Sequence, residues 1–208
     1  DIAIAGSTND RLLEVDQSTT LTASATLTLD DADLADATLT AGGATVLTSV
    51  EADMLSVDSG AATVISRLSA DATEITSDGA ADIEDMATAA TDITVTNQSL
   101  NARRVETNGP LTINTGAGDI ALADVNVTGA ASITGATIGS DASGGGETRV
   151  SVGETRVSVG ETLTIDGSGD VALTDLDVTG ASDIDAGGTL SLDDISVADL
   201  DAQSGGDL

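Results

Sequence analysis

Apolar residues recur along this chain at a long and regular spacing. Leu29, Leu47, Ile65 and Ile83 stand eighteen residues apart, three times in succession. Each opens a six-residue phrase with inward positions first, fourth and sixth: Leu29, Ala32, Leu34; Leu47, Val50, Ala52; Ile65, Leu68, Ala70; Ile83, Met86, Thr88. The phrase returns as Leu122, Val125, Val127, as Leu173, Leu176, Val178, and as Leu192, Ile195, Val197. A second ladder of Leu39, Val57, Ile75 and Ile93 runs about ten residues behind the first. Residues 20–29 alternate Thr or Ser with Leu or Ala, which marks a strand with one buried face. The β-branched Thr suits the outer face. Propensity alone favours a helix over 81–91, but the ladder position of Ile83 places that stretch in a strand. The expected fold is all-β: a parallel β-solenoid (β-helix) of about ten rungs with an 18-residue period. At ~4.8 Å per rung it makes a rod roughly 50 Å long.

Turn chemistry falls between the ladders. Gly42-Gly43, Ser59-Gly60 and Asp78-Gly79 punctuate the rungs. Pro110, the only proline, follows Asn108-Gly109 and marks a corner with a strand after it. The 22 residues from Leu100 to Leu122 predict a longer rung there, whereas 169–186 and 187–204 predict two rungs of eighteen. Residues 1–5 match 119–123 and 170–174, which places Ile4 with Leu122 and Leu173. Residues 1–208 therefore read as a single solenoid segment that starts and stops in mid-rung, without a polar cap at either end. The expectation is a piece of a longer solenoid, or ends that stack on other copies. The period breaks in an irregular insertion around 139–162. Here Gly144-Gly145-Gly146 precedes a seven-residue unit written twice, from Glu147 and from Glu154. Two readings stand: a hairpin or loop projecting from the solenoid, or an error in the sequence.

Composition narrows the chemistry. The chain has no Phe, Tyr or Trp, so a wide globular core lacks its usual filling, while a narrow aliphatic channel needs none. Without Cys there is no disulfide or thiolate, and without His no imidazole base or ligand. All six basic residues are Arg, and the net charge is −30. So acidic a surface argues against nucleic acid as a partner. Acidic chains poor in aromatics are often disordered, but 40% hydrophobic residues set in register argue for a fold. No run has the length of a membrane-spanning helix, so membrane insertion is not expected.

Parallel in-register strands stack like on like, and outside the core this stacks carboxylates. Asp124, Asp175 and Asp194 share one outward position of the phrase. Exposed carboxylates one rung apart repel by roughly 0.9 kcal/mol in water before screening. Salt or bound cations would offset this, so the acidic skin points to a high-salt medium or to calcium held by Asp oxygens. The three Asp are cation-binding candidates on that ground. No cofactor is required.

Residues 169–208, with Gly-Asp-hydrophobic strands and Ala-Gly-Gly turns, resemble the haemagglutinin-type repeats of large secreted adhesins, as do 111–138 and 163–168. The resemblance implies a right-handed parallel β-helix outside the cell, in an adhesin, exoprotein or surface filament. The chain is far more acidic than that family, and the family's N-terminal secretion domain is not seen in it.

Further candidates follow from short motifs. Asn97-Gln-Ser99 and Asn126-Val-Thr128 are N-glycosylation sequons. Arg103-Arg104 is the only basic pair; one of the two falls near the inward position of Val125 and Leu176, and the expected outcome is both guanidiniums outside, paired to Asp. Asp30-Asp31 and Asp193-Asp194 supply paired carboxylates, but no Lys, His, Tyr or Trp accompanies them, so no enzyme is expected. Thr20/Thr22, Thr26/Thr28 and Thr38/Thr40 suggest an ice-binding array, yet the pairs are not expected to share a rung position. The expected function is a structural or adhesive segment of an extracellular solenoid that associates end to end. The alternative is the stalk of a polysaccharide-binding or polysaccharide-processing protein, with glycans as partners.

Overall fold

The structure, a computed structural model, describes residues 2–4, 8–15, 17–139, 157–159 and 162–206. Its strands are β1 (Ile2–Ile4), β2 (Thr8–Val15), β3 (Thr19–Ala23), β4 (Leu27–Ala41), β5 (Thr45–Ser59), β6 (Thr63–Ser77), β7 (Ala81–Val95) and β8 (Leu100–Thr107), followed by β9 (Leu111–Asn114), β10 (Asp119–Val127), β11 (Ala131–Gly135), β12 (Thr137–Gly139), β13 (Val157–Val159), β14 (Leu163–Gly167), β15 (Val171–Ala186) and β16 (Leu190–Ser204). Every pairing is parallel, and each strand lies beside its counterpart one rung away. The chain winds as an all-β solenoid of about 9 turns with a period near 18 residues, as the ladders predict.

Residues 27–44 show how a rung is made. Leu27 and Leu29 point inward, then Ala32 and Leu34, then Ala37, Leu39 and Ala41. Two adjacent outward residues break the alternation at Asp30-Asp31 and again at Ala35-Asp36. Gly42-Gly43 break it a third time. Three straight sides thus meet at three corners. The third corner is tight: a Cβ on Gly60 would stand 2.7 Å from the carbonyl oxygen of Gly42, one rung away. Glycine lets these two turns approach so closely, while Asp78 and Thr96 take the same position on the next two rungs.

Both ladders are in the core. Leu29, Leu47, Ile65 and Ile83 pair in register on the first side and are buried. Leu21, Leu39, Val57, Ile75, Ile93, Ile113, Ile133, Ile165 and Ile184 make one buried column on the third side. Each side offers two or three inward positions, and aliphatic stacking fills the space between them without an aromatic ring. Each buried Leu or Ile contributes roughly 1.5–3 kcal/mol.

Residues 81–91 lie within β7 and are strand, as the ladder predicts. Three register expectations need correction. Leu100 pairs with Ala81 and Ile120, so the place of Leu122 in the previous rung belongs to Ala102. The rung from Leu100 to Ile120 is 20 residues, not 22; its extra residue over the preceding 19 is at Asn108-Gly109-Pro110, where three residues replace Ala89-Ala90 between paired positions. Ile4 pairs with Ala23 on the third side, away from the column of Leu122. Alternating apolar text occurs on every side, so a local match does not identify the side. Finally, β15 runs 19 residues ahead of β16 until a register shift between Val178 and Ala181 restores eighteen. The seven-residue duplication lies outside the described residues except at Val157–Val159, which enters the sheet between β10 and β15.

Candidate functional site

The first corner has a backbone of its own. Asp31, Ser49, Arg67, Asp85, Arg104 and Asp194 all have φ between 51° and 62°. The ladder skips each of them: Asp30 pairs with Thr48 and Ala32 with Val50, leaving Asp31 and Ser49 outside the pairing. L-residues avoid the left-handed region, which costs roughly 1–2 kcal/mol, with Asp and Asn tolerated best. Here it turns the chain between first and second sides and throws each side chain outward.

A groove of roughly 660 Å³ runs along this corner. Its lining includes Ala32, Val50 and Leu68, whose side chains face the core, and the outward residues Asp31, Asp33, Glu51, Arg67 and Asp85. Along five consecutive rungs the corner column reads Asp31, Ser49, Arg67, Asp85, Arg104, and over the last three its charge alternates in sign. The Arg104 guanidinium donates from Nε to Asp85 Oδ1, from Nη2 to Asp85 Oδ2 at 3.1 Å, and from Nη2 to Glu84 Oε1. These bonds hold the Asp85 carboxyl below the ordinary Asp value of 3.8, and the field of Arg67 adds to the effect. The same partners raise the pKa of Arg104. Arg103 Nη2 lies 3.8 Å from Asp82 Oδ1, which also accepts from Asn101 Nδ2 at 3.1 Å.

The basic pair behaves as its composition suggests, with a change of register. Both guanidiniums are outside and about half exposed, while Val105 takes the inward position beside Met86 and Val125. Asp124, Asp175 and Asp194 fall at the first-corner position by register, the pairing skipping each of them, and Asp194 has φ 51°. Asp175 and Asp194 are on adjacent rungs, and the β13 rung separates Asp124 from Asp175. The side chains of Asp124 and Asp175 lie outside the described set; Asp194 is exposed. Among the described residues no three acidic groups converge to hold a metal ion.

Asn97 is exposed at the third corner with φ 53°, and its Oδ1 accepts from the Ala117 N–H one rung on at 3.2 Å. Asn126 is exposed in mid-strand on the second side, between Glu106 and Ser158. Sequence reasoning missed Arg67 and Ser49 as groove residues, although each stands at an eighteen-residue interval from Asp31 or Asp85.

The Thr expectation also changes. Thr20 pairs with Thr38 and Thr22 with Thr40, so these two pairs do share a rung position, while Thr28 lies on the first side. Beyond them the same columns carry Ser56/Asp58, Glu74/Thr76 and Asp92/Thr94, and the charges interrupt any uniform Thr array.

Comparison with known proteins found no matching family model, curated sequence or solved structure.

Proposed function

We propose that this chain is a structural segment of an extracellular β-solenoid, a rod that extends by end-to-end stacking and displays its outward columns to the surroundings. The observation that carries the reading is the in-register parallel pairing of rung upon rung, which stacks the buried aliphatic side chains into continuous columns along the rod. Every such rung carries the backbone donors, acceptors and apolar side chains that pair with a further rung, so the architecture is extensible by stacking. The adhesin-like text of 163–208 supports an extracellular setting, and the charge of −30 supports a saline one. Electron microscopy and sedimentation test the stacking. Filaments that lengthen with concentration, and that Ile195→Asp abolishes, are expected; a chain that stays monomeric at millimolar concentration would exclude it.

The second reading, a glycan-binding stalk, is favoured by the first-corner groove. It gathers Arg67 with Asp31, Asp33, Glu51 and Asp85 along one corner. Glycan-array binding that Arg67→Gln weakens would support it, and a blank array would remove it.

A further inference from the structure

The second corner carries a trough used by neither reading. One bank is the corner column, where Asp36, Met54, Ala72 and Ala90 stand on consecutive rungs. Pro110 continues it, its carbonyl accepting from the Thr91 N–H at 3.0 Å. The other bank is an outward column of the third side: Thr38, Ser56, Glu74, Asp92 and Thr112. The trough encloses roughly 490 Å³.

The banks differ in chemistry. Met54 is 56% exposed, more than any other large apolar side chain among the described residues. Single exposed apolar residues are ordinary. Here Met54 aligns with Ala72, Ala90 and Pro110 into an apolar strip across four rungs. The facing bank belongs to a side whose two outward columns, from Thr20 and Thr22 to Asp201 and Gln203, carry a side-chain oxygen at every position and no cation. The described arginine side chains, Arg67, Arg103 and Arg104, are all at the first corner or first side.

A ligand for this trough needs positive charge and a long apolar stem together. A divalent ion has no stem, and the carboxylates lie a rung or more apart along the rod instead of converging. Asp36 is two rungs from Glu74 and three from Asp92, about 10 and 14 Å along the axis at the usual strand spacing. We propose that the trough binds a linear aliphatic polyamine. Its methylene chain lies on Met54, Ala72, Ala90 and Pro110, and its ammonium groups meet Asp36, Glu74 and Asp92. Burying the methylene stem adds to charge pairing that would be weak at an exposed site.

The test is NMR titration of the full chain with spermine at physiological ionic strength, with magnesium as the charge control. Saturable shifts of the Met54 methyl and of the amides of Ala72, Ala90 and Thr112 are expected. The Glu74→Gln/Asp92→Asn variant should weaken binding about fivefold or more, and Met54→Ser about threefold. Asp183→Asn/Asp185→Asn, on the same side but beyond the trough, should bind as the parent does. Three results would overturn the proposal: shifts spread evenly over the carboxylates of all three sides, magnesium moving the Met54 methyl equally, or unchanged affinity in Glu74→Gln/Asp92→Asn.

Discussion

Hydroxyl groups inside the rod have two fates. The Ser77 hydroxyl lies 2.8 Å from the Ala61 carbonyl and 3.0 Å from the Gly79 carbonyl, and it accepts from Thr63 Oγ1 at 3.0 Å. Ser59 is placed in the same way beneath the preceding turn, 3.1 Å from the Gly43 carbonyl. Thr45 Oγ1, equally buried, has no partner. Removing a hydrogen-bonded group strands its partners, whereas removing an unpaired one relieves a desolvation cost. Ser77→Ala should therefore lose about 1–3 kcal/mol in urea unfolding, and Thr45→Val should be neutral or gain up to ~1 kcal/mol. Outside, Asp85 has a pKa held low by Arg104, so its contribution is present above about pH 4 and is lost as pH falls through the depressed folded value. Carbon-detected titration should place its midpoint below 3.8, and Arg104→Gln should raise it. The sequence shows Ser59 and Ser77 as turn residues, but not that they face inward, because polarity in alternating text ordinarily marks the outer face.

At the level of the strand and its corners, the first-corner column decides the shape of a rung. Ser49 and Arg67 adopt a left-handed backbone that neither residue favours. Neighbouring rungs impose it, since each corner must follow the path of the one beneath. Ser49→Gly should raise stability by up to ~1 kcal/mol, because glycine accepts this backbone without strain. An unchanged urea midpoint would mean the corner stores little strain. The doubled outward residues, such as Asp30-Asp31, are legible in the text as a break in alternation. The left-handed backbone is not, because Ser and Arg give no sign of it. Register was hardest to read where a corner changes length, as at Asn108-Gly109-Pro110. There the ladder moves by a residue with no change in apolar pattern, and Leu100 is easily assigned to the wrong column.

Taken whole, the rod balances a dry aliphatic stack against a skin of like charge. Exposed ion pairs such as Arg104–Glu84 stabilise only weakly, because water and salt screen them. Repulsion between stacked carboxylates is of similar size per pair and far more frequent at a net charge of −30. Salt weakens both, so repulsion dominates the outcome: the thermal midpoint should climb as sodium chloride rises from low to molar concentration. A falling midpoint would mean that the Arg pairs outweigh the acidic skin. Each rung is held chiefly by the rungs directly before and after it. Pulled by its two termini, such a coil has no distant clasp to break. It should pay out one loop at a time, each release freeing about 60 Å of thread, and the force trace should be a staircase of even treads rather than a single rupture.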